Sequence, residues 1–261
     1  HQNEKESSVI KINEKIKKSL VEKFKSAHKR MIFLDYDGTL VGYNEKPELA
    51  TPNEFVIKTL ELLLEFPSTE LAIVSGRDHK FLDQWFGDLP VTLVAEHGYL
   101  IKHKNQKWVE KESQLKNWKE DIIPVMETFT DRTPGTFIEE KKNSLVWHYR
   151  KTDPELAAER TIELKTVLSS LISDELNLMD GDKIIEVVSG RYNKGTAVSE
   201  IMGDKAYDFI LCFGDDVTDE FMFNDLPAHA INVKVGKKNT QANYCIDKPR
   251  DVISLLNSLT S

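Results

Sequence analysis

Cysteine is scarce in this chain: Cys212 and Cys245 are the two among 261 residues. Two cysteines build no disulfide framework, so a reducing, cytoplasmic compartment is expected. Basic residues are outnumbered. Lys and Arg total 35 against 43 Asp and Glu, for a net charge of −8. That balance argues against general nucleic-acid binding, which needs a basic face. It leaves room for an anionic small molecule, because local charge matters more than the sum. Long apolar runs are missing, so no membrane span is expected. The start, His1-Gln2-Asn3-Glu4-Lys5, is polar and carries no signal-peptide pattern. A first residue other than Met suggests a fragment or a processed chain. There is no internal repeat and no low-complexity segment.

What is present describes a soluble globular protein, with 40% hydrophobic and 30% charged residues. Residues 1–8 are expected to be disordered. Ile10, Ile12, Ile16, Leu20, Val21 and Phe24 recur near helical spacing and predict a helix to about Lys29. The apolar runs Met31–Leu34, Leu71–Val74, Val91–Ala95, Phe209–Phe213 and Ile231–Val235 predict strands, those richest in apolar residues covered on both faces. Helical patterns stand between them. Thr51, with Pro52 and Glu54 after it, reads as an N-cap, and Pro249 opens a final helix. Strand then helix, repeated, implies parallel strands with right-handed crossovers.

The rhythm changes in the middle. Lys102–Trp108 suggests a polar hairpin, Trp118–Phe129 a helix with Pro124 at an awkward place, and Thr136–Arg150 an alternating strand-like run. Asp153-Pro154 opens a long helix, and Lys183–Val188 is another strand. The expected organisation is a tail and helix at 1–29, a doubly wound parallel α/β core at 30–111 and 186–261, and an inserted α/β domain at 112–185, built from an antiparallel sheet and helices.

In a sheet of this kind, ligands sit beyond the carboxyl ends of the strands. Asp35-Tyr36-Asp37-Gly38-Thr39 falls at such an end, as do Ser75-Gly76-Arg77, Glu96-His97-Gly98 and Gly214-Asp215-Asp216. Asp35 and Asp37 could converge on one hard cation, which would relieve their repulsion, or they could belong to an Asp-rich turn. Ser75 could bind an anion or merely cap a helix. Lys194 at a helix start is unfavourable for the helix dipole, which favours an anion-binding role. Asp219 and Glu220 could be helix N-terminal acids.

Taken together and in order, Asp35–Thr39, Val74–Arg77, Tyr192–Gly195 and Gly214–Glu220 resemble the four motifs of the haloacid-dehalogenase-type phosphatases. The inserted domain lies between Ser75 and Lys194, as in the sugar-phosphatase branch. Leu34–Leu40, Ala95–Gly98, Trp147–Arg150, Glu186 and Gly214–Glu220 are similar to trehalose-6-phosphate phosphatases, especially the fungal-type phosphatase domain. The resemblance implies Mg²⁺ as cofactor and a sugar phosphate as substrate. It makes Asp35 the nucleophile and a metal ligand. Asp37 becomes the general acid and base, with its backbone carbonyl on the metal. Asp215 is the further metal ligand, and Ser75, Gly76 and Lys194 bind phosphate. Thr39, Asp216 and Asp219 support them.

In the cap, the resemblance implies that Glu139, Lys141 and Glu186 hold the disaccharide, with Arg150 a further candidate. Carboxylates accept hydrogen bonds well from sugar hydroxyls. A one-residue slip would present Glu140 and Lys142 instead, and Glu139–Lys142 could also be a solvated charge run. His148 is expected to be structural, and His97 is left undecided between a loop role and the phosphate. Such a cap is expected to close over the sugar and exclude water. The implied reaction is hydrolysis of trehalose 6-phosphate, the last step of trehalose biosynthesis, with a trehalose-6-phosphate synthase domain or complex as partner. The alternatives are a phosphatase for another sugar phosphate, or a catalytically silent regulatory domain of a synthase complex.

Overall fold

The strand β2 (Arg30–Leu34) is buried at all five positions, because it lies between two parallel neighbours. The structure is a computed structural model describing residues 9–111, 117–190, 192–237 and 239–261. The disorder expected for residues 1–8 and the expected domain boundary at 112 lie outside the described residues. In chain order the first unit contributes β1 (Ile10–Lys11), α1 (Glu14–Ser26), β2, α2 (Glu54–Glu65), β3 (Thr69–Val74), α3 (His79–Phe86), β4 (Thr92–Ala95), β5 (Leu100–Lys102) and β6 (Trp108–Glu110), whose last residue already belongs to the second unit. The second contributes α4 (Trp118–Asp131), β7 (Phe137–Glu140), β8 (Ser144–His148), α5 (Pro154–Leu171), β9 (Leu176–Gly181) and β10 (Ile184–Ser189). The first then resumes with α6 (Lys194–Met202), β11 (Phe209–Gly214), α7 (Glu220–Asp225), β12 (Ile231–Val235), β13 (Tyr244–Ile246) and α8 (Pro249–Thr260).

The larger sheet has the order β1-β13-β12-β11-β2-β3-β4-β5-β6. Pairing is parallel from β1 through β4, and β5 returns antiparallel to β4. One face carries Met31, Phe33, Ala72, Val74, Ile210 and Cys212 into a core shared with Ala197, Val198, Ile201 and Met202 of α6. Helix α8 packs with α1 and with α2, and none of these three helices contributes to that cluster. This is the doubly wound arrangement expected.

Local chemistry moved some boundaries. Ile10 and Lys11 do not start the first helix; they pair in parallel with Tyr244 and Cys245 at the sheet edge. The helix begins after Asn13, whose side chain accepts the Ile16 N–H at 2.9 Å. Its apolar face joins the first unit, with Phe24 against Phe66 and Phe209 at 5.0 and 5.5 Å. Asn53, not Thr51, caps α2 by accepting the Val56 N–H at 2.9 Å. Pro124 does not break α4, which continues to Asp131 with Ile122 and Met126 buried.

The smaller sheet has the order β7-β8-β10-β9 and is antiparallel throughout. The alternating run 136–150 is two strands of a hairpin, since Lys141 N–H closes on Ser144 O at 2.9 Å. One sheet face, with Leu145, Trp147, Ile185 and Val187, packs with Ile122 and Met126 of α4 and Leu164 and Leu168 of α5. The units divide at 110 and 192. Glu186–Ser189, expected in the core, therefore lie with the inserted unit: β10 pairs with β8 on one side and β9 on the other. Among the described residues no helix is long and apolar enough to cross a membrane.

Candidate active site

Asp35 follows β2, Ser75 follows β3 and Asp215 follows β11, so three carboxyl-end positions of adjacent parallel strands carry polar groups. Lys194 is the first residue of α6, fixed by the Asn193 cap, which accepts the Thr196 N–H at 2.9 Å while Thr196 Oγ1 accepts the Asn193 N–H at 3.0 Å. The Lys194 side chain is 3% exposed, so a single buried ammonium must be shared among acids. It donates to Asp35 Oδ1 and to Asp219 Oδ1, each at 2.8 Å. Thr39 donates to the other Asp35 oxygen at 3.0 Å. Burial pushes the Asp35 carboxyl well above the usual aspartate range, and Asp219 adds repulsion that Lys194 only partly offsets. Burial alone would lower the Lys194 ammonium; Asp219 and Asp35 outweigh it and hold the lysine charged.

Asp219 is more than a helix-start acid. It is fully buried, and its Oδ2 accepts the N–H groups of Asp215 and Asp216 at 2.9 and 3.0 Å. It thereby folds the loop that presents Asp215. Asp216 caps the short turn after it, accepting the Val217 N–H at 2.8 Å. Gly214 leaves room for Asp219, whose Cβ would lie 2.3 Å from a methyl placed there.

Asp35, Asp215 and Asp219 each offer a carboxylate oxygen within 4.8 Å of the others. Three carboxylates facing one ammonium leave an excess of negative charge in a buried place. Burial pushes Asp215 up to about 7. Its Oδ1 is buried and has no hydrogen-bond partner. An all-oxygen donor set with an unsatisfied carboxylate oxygen suits a hard divalent cation. The Asp37 side chain stands outside this group. Arg77 holds it through Nε at 2.8 Å and a terminal nitrogen at 2.7 Å.

Ser75 does not cap α3; Asp78 does, accepting the Phe81 N–H at 2.9 Å. Ser75 Oγ accepts the Arg77 N–H at 2.9 Å, which leaves its own O–H to donate. Gly76 backs onto His97, because a Cβ there would come within 2.6 Å of the imidazole. Glu96 and His97 both take positive φ, 48° and 58°, at the end of β4, a strained turn of the kind concentrated at functional sites.

In the inserted unit, Glu139 and Glu186 are both register partners of Val146, so they share one sheet face. Lys141 Nζ is 3.7 Å from Glu186, whose side chain is 1% exposed. Glu139 accepts from or shares a proton with His148 Nε2 at 2.8 Å. Burial would raise the Glu139 carboxyl, but the His148 bond and Lys141 outweigh it and hold it below the usual range. Glu140 and Lys142 turn elsewhere, to Lys119 and Glu110. The structure thus brings Glu139, Lys141 and Glu186 together. Arg150 is directed to the carboxylate and the carbonyl of Asp182. Sequence reasoning missed Arg77, although it adjoins Ser75-Gly76, and missed Tyr43, whose hydroxyl donates to Asp215 Oδ2.

A trehalose-phosphatase family model matches residues 33–250. A bifunctional trehalose-6-phosphate synthase/phosphatase of Thermoproteus tenax is 38% identical over 90% of this chain and 32% of its own length. The trehalose-phosphatase of Saccharomyces cerevisiae is 40% identical over 79% of this chain and 26% of its own. The chain therefore spans about a third or less of these curated relatives. The C-terminal domain of trehalose-6-phosphate phosphatase from C. albicans superposes with a TM-score of 0.90 at 31% identity, covering 97% of this chain and 98% of that one. A match running from β2 into α8, and a solved fold of nearly the same extent, agree with the acids at the strand ends: the chain belongs to the trehalose-phosphatase family, of the haloacid-dehalogenase type.

Proposed function

We propose that this chain hydrolyses trehalose 6-phosphate to trehalose and inorganic phosphate through an aspartyl-phosphate. The observation that carries the reading is the buried group of Asp35, Lys194, Asp219 and Asp215 at the strand ends. Asp35 is the nucleophile. Lys194 and Thr39 fix its two oxygens, so attack on phosphorus needs little reorientation. As the Asp35 oxygen bonds to phosphorus, the bond from phosphorus to the sugar oxygen breaks. Asp37 in its protonated form gives the leaving oxygen its proton, and the carboxylate so formed takes one from the water that frees Asp35 and phosphate. Ser75, the Gly76 backbone and Lys194 hold the transferring phosphoryl oxygens.

Asp35, Asp215 and the Asp37 backbone carbonyl would hold Mg²⁺, with Asp219 beside them and Asp216 supporting the loop. When bound, the ion would offset the charge that the phosphate adds to these carboxylates. Glu139, Lys141 and Glu186 select the disaccharide, with Arg150, held by Asp182, a further candidate. Because a relative joins synthase and phosphatase in one chain, a trehalose-6-phosphate synthase domain or complex is the proposed partner. Two free thiols suit a cytoplasmic setting.

The test is Mg²⁺-dependent phosphate release from trehalose 6-phosphate, with Asp35→Asn as control. The parent releases phosphate, and the variant loses ~10³-fold or more. Full activity in Asp35→Asn overturns the covalent mechanism. Equal rates on sucrose and glucose phosphates overturn the substrate.

A further inference from the structure

The carboxylate oxygens of Asp35, Asp215 and Asp219 are not equivalent. Lys194 and Thr39 occupy both oxygens of Asp35. Lys194 and two backbone N–H groups occupy both oxygens of Asp219. Tyr43 donates to Asp215 Oδ2. Asp215 Oδ1 is left buried and without a hydrogen-bond partner.

We propose that Tyr43 is a positioning residue of the divalent-cation site: its hydroxyl engages one oxygen of Asp215 and so presents the other to the ion. The inference rests on the metal site of the proposed function and adds a residue to it. A carboxylate only accepts, so the phenol must be the donor. That bond removes a choice between two oxygens and fixes the rotation of the Asp215 side chain before the ion arrives.

The loop is built to deliver this contact. Gly38 takes φ +77°, and its N–H bonds Val41 O at 2.7 Å, turning the chain back. A Cβ at Gly38 would lie 2.0 Å from Asp215 Oδ2 and 2.6 Å from Tyr43 Cε2. Backbone, ring and carboxylate are therefore packed as one unit, and only glycine leaves room for it. Donors behind a metal ligand fix its orientation and sharpen affinity, commonly by about 10- to 100-fold.

The experiment is calorimetric titration of Mn²⁺ into metal-stripped protein, without substrate, for the parent and Tyr43→Phe. Phenylalanine keeps the ring against Gly38 and removes only the hydroxyl. The expected result is about tenfold weaker Mn²⁺ binding in Tyr43→Phe. The rise in melting temperature on adding Mn²⁺ shrinks accordingly, while the metal-free circular dichroism spectrum is unchanged. With sugar phosphate, the Mg²⁺ concentration for half-maximal rate rises by about the same factor, and kcat at saturating Mg²⁺ is retained. Equal Mn²⁺ affinity in the two proteins, or a fall in saturated kcat with unchanged affinity, overturns the role of Tyr43. No Mn²⁺ binding by the parent overturns the metal site itself.

Discussion

Arg77 grips the Asp37 carboxylate with two nitrogens, at 2.8 and 2.7 Å. The guanidinium is itself placed over the Phe81 ring, 4.2 Å from its centroid, with Tyr36 at 5.6 Å. A planar fork stacked on an aromatic face has one orientation, so Asp37 inherits a fixed position. Lysine supplies charge without the fork. Arg77→Lys is expected to lower kcat by ~10- to 100-fold through misplacement of Asp37. Because the pair is partly solvated, stability changes by less than ~1 kcal/mol. Steady-state rates and urea unfolding on the same preparation check both statements. An unchanged kcat would show that Asp37 needs no such support.

Lys194 is the buried cation between Asp35 and Asp219. Lys194→Met removes it and keeps much of the side-chain volume. At neutral pH and without divalent cation, the variant is expected to lose ~3–5 kcal/mol, since two buried carboxylates lose their shared partner. Urea unfolding measures the loss. A cost below ~1 kcal/mol would mean that the acids are satisfied by other means.

Glu186 tests the proposed choice of substrate. Its side chain lies 3.7 Å from Lys141 and on the sheet face of Glu139. Glu186→Ala should lower the ratio of activity on trehalose 6-phosphate to that on glucose 6-phosphate by ~10-fold or more. The glucose 6-phosphate rate itself should hold. If the ratio stays constant, Glu186 does not choose the substrate.

Asp208 gives a pH dependence remote from the chemistry. Its carboxylate accepts the N–H groups of His28 and Lys29 at 2.8 and 2.7 Å, just before β2. Those two bonds hold the group below its ordinary value of 3.8. A depressed folded value means that the stabilisation is complete above the unfolded value and is lost as pH falls through the lower, folded one. Asp208→Ala should therefore melt below the parent near neutrality, and the two melting curves should converge in acid. A gap that persists unchanged at pH 2 would assign the effect to something other than the charge.

Much of this was legible in the residues. Met31–Leu34 and Phe209–Phe213 are apolar without alternation, which suits strands covered on both faces, and both are buried throughout. The helix start at Lys194 was also legible, whereas the Asn193–Thr196 cap that fixes it shows only in the structure. Other features were hidden. β9 is half-exposed and mixed in composition, so no period marks it. Ile10 and Lys11 carry a helical spacing, yet pairing with Tyr244 and Cys245 draws them into the sheet. The run 136–150 alternates across a turn, and alternation does not reveal where a hairpin reverses.

By itself, the sequence determined that acids and a serine stand at the ends of apolar strands, because strand periodicity and the turn residues after it are local properties. The tertiary structure decided which oxygens meet. Asp37 and Arg77 are 40 residues apart, Tyr43 and Asp215 are 172 apart, and Lys194 lies 159 residues from Asp35. No local pattern encodes such pairings. They follow from strand order, which sets β11 beside β2 and β2 beside β3. The hydrophobic cost of exposing those strands fixes that order, and burial then forces each polar group among them to find a partner.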